Sequence, residues 1–175
     1  MRWVAEHRQQ WLTHVAFAVM DVGTTVAGIG VCALVATVFV VRFRRLRWAA
    51  GAAAVVFVVA GLLTSGLKQL FDRHRPPADL ALITVGGASF PSTQAAETAA
   101  VATAVLVATT WSSLNLRRAA TVAAVFVLLA VGACMIYLGA HWTTDVLAGW
   151  AVGASCGALA GWGARRLAIS AQRWR

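Results

Sequence analysis

A chain of 175 residues has room for one domain. It is 60% apolar and 12% charged, with a mean hydropathy of +0.74, which excludes an ordinary water-soluble globule, where about a quarter of residues are charged. A formal net charge of +9 would suit a nucleic-acid binder, but the basic residues stand in short clusters between apolar runs, the distribution of a polytopic membrane protein.

Residues 1–11 carry Arg2, Glu6, His7 and Arg8 between Trp3 and Trp11, a pattern that predicts a short interfacial N-terminal segment. The apolar run that follows is too extended, and lacks the cleavage site, to be a removable signal. Residues 12–41 exceed the roughly 20 that one crossing needs. The polar break at 21–25 starts the membrane-buried part near Thr24 and leaves a surface helix, or the outer end of a tilted one, before it. His14 and Asp21 then sit at the water edge. Arg42, Arg44, Arg45 and Arg47 form the densest basic run, which the positive-inside rule assigns to the cytoplasm.

Residues 48–66 read as the second span and 68–91 as a polar outer loop. Residues 94–111 form the third span, with alanine and threonine where helices approach closely. The chain returns to Arg117 and Arg118, crosses again over 119–138 and 144–164, and ends in a basic cytoplasmic tail, 165–175. The expected fold is a single all-α polytopic membrane domain over 1–175, with about five transmembrane helices and the N-terminus outside. Ten arginines then lie inside against five basic residues outside, while all six acids and four histidines fall on or near the outer side. Cys32, Cys134 and Cys156 have neither metal-ligand spacing nor an even count for a disulfide framework, and read as small buried apolar residues.

Three stretches meet on the outer side. Lys68 and Arg75 stand seven residues apart, a point charge and a bidentate fork suited to one phosphate, although cations flanking a span also contact headgroups. Pro91, Ser92 and Thr93 open the third span with a helix N-terminus and hydroxyls, a ready anion site as well as an ordinary cap. His141 and Asp145 are spaced i, i+4, so that the carboxylate can orient the imidazole for nucleophilic or base chemistry. Trp142, Tyr137 and Trp150 suit the interface.

These residues resemble the membrane branch of the type 2 phosphatidic acid phosphatase (PAP2) family, related in its core to vanadium haloperoxidases. The family's first motif, a lysine, six residues and Arg-Pro, is matched by Lys68 through Arg75 and Pro76; its third motif ends in a His and Asp matched by His141 and Asp145. Two positions depart. The second motif, Pro-Ser-Gly-His, reads Pro91, Ser92, Thr93, Gln94, and Gln94 cannot transfer a proton near neutral pH. The third motif's opening Ser-Arg is replaced by Cys134 and Met135, so one phosphate-clamping cation is absent.

The resemblance implies a metal-independent lipid phosphate or polyprenyl diphosphate phosphatase without a cofactor, working through a phosphohistidine. His141 would be the nucleophile and Asp145 its orienting carboxylate. Lys68, Arg75, Ser92, Thr93 and Gln94 would bind the phosphate, and Arg73, His74 and Glu97 are auxiliary candidates for the missing cation and acid. The alternative it leaves open is an impaired family member that binds a lipid phosphate, or supports a membrane protein partner or homo-oligomer, without turnover. The expected location is a bacterial inner (plasma) membrane with the site facing outward.

Overall fold

Length, apolar faces and local caps explain each helix of the computed structural model, which describes residues 1–24, 34, 37–38, 41–43 and 46–173. The described residues contain α-helices and no strand. Helix α1 (Arg2–Glu6) and α2 (Gln10–Thr24) are followed by α3 (Arg47–Phe71), α4 (Thr93–Ala108), α5 (Leu114–Tyr137) and α6 (Thr143–Arg173). Beyond Thr24 the first expected span lies mostly outside the described residues.

Among the described residues, three helices, α3, α5 and the Thr143–Ala171 part of α6, are long and apolar enough to cross a membrane. At 1.5 Å per residue, the 25 residues of α3 reach about 37 Å, more than a hydrocarbon core of about 30 Å. Val55, Phe57, Val58 and Leu62 of α3, and Val122, Phe126 and Leu129 of α5, present apolar surface outward, as lipid contact requires.

Several expected boundaries move. Helix α3 continues past residue 66 to Phe71, so Lys68 sits on its last turn and the loop begins at Asp72 rather than 68. Apolar Leu67, Leu70 and Phe71 extend the helical face, and Asp72 ends it in a left-handed conformation (φ 39°) with its amide bonded to the Lys68 carbonyl. The third expected span stops at Ala108 instead of 111, giving 16 residues and about 24 Å. There the Trp111 indole folds back and donates to the Leu106 carbonyl, satisfying an end-of-helix acceptor. The tail expected from 165 is helical as far as Arg173. At the other end, the 1–11 segment divides between α1 and the start of α2.

Close packing of small residues holds the centre. Helix α4 lies against both α3 and α6, and Ala49, Ala52, Val56 and Ala60 of α3 meet Ala96, Ala100 and Ala104 of α4. Gly149, Gly153, Gly157 and Gly161 recur every fourth residue on α6 and place its backbone directly on α4. A Cβ at Gly153 would collide with the backbone of Ala96, and one at Gly157 with that of Ala100. Polar ends complete the frame: Ser92 caps α4, and the Ser92 amide donates to the Asp145 carbonyl (2.9 Å), joining the starts of α4 and α6. Arg8 donates to the carbonyls of Tyr137 (2.9 Å) and Leu80 (2.6 Å), tying the N-terminal helices to the loops at that same end.

Candidate active site

His141 and Asp145 come from the turn between α5 and α6. Gly139 makes that turn possible: it has φ 76°, and a Cβ there would come within 2.6 Å of the Leu80 carbonyl oxygen. His141 follows two residues later and is 6% exposed, while Asp145, in the first turn of α6, is fully buried. Asp145 Oδ2 accepts the Trp142 amide at 2.9 Å, which fixes the carboxylate across the helix start. The same oxygen lies 3.5 Å from His141 Nδ1, an electrostatic contact longer than a well-formed hydrogen bond.

Arg75 completes the other side of the imidazole. Its Nη1 lies 3.4 Å from His141 Nε2 and donates to the Ala140 carbonyl at 2.8 Å. The two contacts suit one tautomer, with a proton on Nδ1, which faces Asp145 without a formed hydrogen bond, and a lone pair on Nε2, toward Arg75. Burial, followed by the positive charges of Arg75 and Lys68, lowers the His141 pKa to about 4, against the opposing influence of Asp145. Burial and these cations therefore favour the neutral ring, with the Nε2 lone pair toward Arg75. Burial also lowers the pKa of Arg75, and Asp145 opposes that shift.

Lys68 reaches the same place from the end of α3. Its Nζ donates to the Ala88 carbonyl (2.9 Å), which also accepts from Arg75 Nη2 (3.4 Å), so the two cations converge on one oxygen. Arg75 additionally donates to Gly87 (3.0 Å) and Gly86 (3.1 Å), and these carbonyls aim the guanidinium. A cavity of about 270 Å³ opens beside Arg75, between 81–85 and the Gly139–Ala140 turn.

The second stretch contributes unevenly. Ser92 is fully buried, and its hydroxyl lies 3.3 Å from Met135 Sδ and accepts the Ala95 amide at 3.4 Å. Met135, at the expected arginine position, thus fills the space against Ser92 with an apolar side chain. The Thr93 hydroxyl is directed to Thr64 of α3 (3.2 Å). The Gln94 side chain makes no hydrogen bond among the described residues, and its carbonyl accepts from Thr98 (2.6 Å).

The auxiliary candidates separate clearly. Arg73 Nη1 donates to Asp145 Oδ1 at 2.8 Å and to Thr144 Oγ1 at 2.6 Å. His74 contributes through its carbonyl, which accepts from Ser89 Oγ (3.1 Å) and the Trp142 indole (3.0 Å). Glu97 points to Gly61, where an added Cβ would lie 2.7 Å from its Oε1. Gly61 is seven residues before Lys68 on α3, which places Glu97 about 10 Å deeper along the bundle than the cations. Sequence reasoning missed Ser89 and the carbonyls of 86–88. Buried Ser89 joins the loop's two halves, its amide donating to Arg73 O at 2.8 Å and its hydroxyl to His74 O. A serine among glycines and apolar residues carries no signal of that partner.

Residues 49–167, more than half of the chain, match the PAP2 superfamily. Two solved structures are similar in fold. The crystal structure of the first transmembrane PAP2-type phosphatidylglycerolphosphate phosphatase from Bacillus subtilis superposes with a TM-score of 0.77 at 23% identity, covering 99% of this chain and 85% of that one. Aquifex aeolicus LpxE superposes with a TM-score of 0.69, also at 23% identity, covering 91% of this chain and 90% of that one. No curated protein sequence matches.

Proposed function

Because this chain belongs to the PAP2 superfamily, we infer that it hydrolyses a phosphate ester of a membrane lipid, a lipid monophosphate or polyprenyl diphosphate, at the outer face of a bacterial inner membrane. The observation that carries this reading is the meeting of His141, buried Asp145 and Arg75 at one end of an apolar helical bundle. The lipid tail stays in the bilayer while the headgroup enters beside Arg75. Lys68 and Arg75 take its phosphoryl oxygens in place of loop carbonyls, and Ser92 lies at the helix start nearby.

His141 Nε2 attacks phosphorus and the bond from phosphorus to the leaving oxygen breaks, forming a phosphohistidine. Asp145 accepts from Nδ1–H and stabilises the positive charge that develops on the ring. Water then attacks phosphorus, the P–N bond breaks, and inorganic phosphate leaves. A leaving phosphate needs less protonation than a leaving alcohol, so Gln94 favours a diphosphate substrate.

A second reading, binding of lipid phosphate without turnover, draws on Gln94 and Met135. The first cannot protonate a leaving group, and the second puts a thioether against Ser92 where a cation is expected. Phosphate release by the purified full chain from a panel of lipid mono- and diphosphates separates the readings. Release is expected, with preference for diphosphates, and His141→Ala should abolish it. Release that persists in His141→Ala removes the histidine from the mechanism. Binding of the same lipids without release by wild type supports the second reading, and more so if release then appears in Gln94→His combined with Met135→Arg.

A further inference from the structure

Asp145 has two oxygens with different partners. Oδ2 faces His141 and accepts the Trp142 amide, while Oδ1 accepts from Arg73. Arg73 is 39% exposed at its side chain, yet it is anchored three ways: on Oδ1 at 2.8 Å, on Thr144 Oγ1 at 2.6 Å, and over the Trp142 ring at 5.6 Å from its centroid. Arg75, two residues on, points instead to Ala140 and the Nε2 side of the ring. The R-x-R segment therefore grips the His141/Asp145 pair from both ends.

We propose that Arg73 is a positioning residue for His141. By holding Asp145 Oδ1 it sets the carboxylate rotamer that directs Oδ2 to Nδ1, and it draws off part of the charge that the carboxylate would otherwise present to the ring. This rests on the phosphatase reading only for its consequence on turnover; the effect on the imidazole follows from the contacts themselves. Arg73 is also the cation in direct contact with this fully buried carboxylate, with Arg75 and Lys68 acting on it from farther off.

The signs are definite. The charged groups acting on His141 are Asp145 of α6, which favours the imidazolium, and Arg75 of the loop and Lys68 of α3, which oppose it. Helices α4 and α5 bring the uncharged Ser92 and Met135 to this end. Removing the Arg73 charge lets Asp145 present more charge to the ring, which eases protonation, while any turn of Oδ2 away from Nδ1 weakens that contact and opposes it. Asp145 favours the imidazolium more by its charge than by hydrogen bonding, and the Trp142 amide still holds Oδ2, so the net shift is upward.

The test is the ring titration of His141 in the ¹⁵N-histidine-labelled full chain in detergent micelles, its signal identified by loss in His141→Asn. Arg73→Gln should raise the midpoint by roughly one pH unit, and Arg73→Lys should restore it. An unmoved midpoint in Arg73→Gln overturns the proposal. Should that variant not fold, Thr144→Val, which removes one anchor, carries the test with a smaller rise, and no rise there is equally fatal. Phosphate release from farnesyl diphosphate by the same variants should show kcat falling about 10-fold in Arg73→Gln with KM held. A raised KM with an unmoved titration would make Arg73 a substrate clamp and overturn its positioning role. A shifted titration in a chain without turnover sinks the phosphatase reading and leaves the positioning role standing.

Discussion

At the residue scale, the imidazole at the site is held in its neutral form by its surroundings. Burial and two cations oppose protonation of His141 more strongly than Asp145 favours it, and its pKa falls from 6.5 to about 4. A nucleophile must be neutral, so activity should persist as pH falls through 6.5 and disappear only toward about 4. The acid limb of kcat/KM, measured on a diphosphate substrate and corrected for the substrate's own ionisation, checks this. A limb at or above 6.5 would show that the free enzyme does not suppress the imidazolium. The pairing of His141 with Asp145 was legible from i, i+4 spacing alone. The hold of Arg73 on Asp145 was not, because it joins residues 72 positions apart and depends on where an extended loop lies over the start of another helix.

At the element scale, α4 and α6 support the site through backbone contact. Glycines at 149, 153, 157 and 161 let α6 settle on Ala96, Ala100 and Ala104, and this contact sets the Ser92 amide on the Asp145 carbonyl. Gly153→Leu should therefore destabilise the bundle by at least ~1–3 kcal/mol, since the obstruction is backbone and cannot rotate away. Thermal unfolding in detergent measures it, with Gly163→Leu as control because a Cβ at that position meets nothing within 4 Å. Equal melting of the two variants would refute the close-packing account. The four-residue glycine period is visible in the sequence, whereas the helix it packs against is known only from the fold. Helix ends were harder to read: Leu67, Leu70 and Phe71 continue an apolar face that a membrane-thickness criterion cuts short.

At the scale of the whole molecule, the chain is a membrane protein of the PAP2 superfamily whose candidate site residues gather at one end, while Arg117 and Arg118 in the first turns of α5 and Arg165 and Arg166 in the second half of α6 lie away from it. If the site faces outward, Thr84→Cys in a background with the native cysteines replaced by alanine should react with an impermeant thiol reagent on intact cells. Ser112→Cys should react only after lysis. Reversed labelling would turn the bundle over and place the proposed substrate in the inner leaflet.

Composition, clustered arginines and apolar run lengths by themselves determined an all-helical membrane chain, and two motif spacings pointed to its family and to His141, Asp145, Lys68 and Arg75. These are local or periodic properties, set by helical repeat and by the cost of unpaired backbone in lipid. Only the tertiary structure decided that Arg73 grips Asp145, that Glu97 lies deeper against Gly61, that Met135 fills the space against Ser92, and that loop carbonyls aim Arg75. Each depends on which surfaces of distant segments meet, and that follows from packing small residues against backbone rather than from any spacing along the chain.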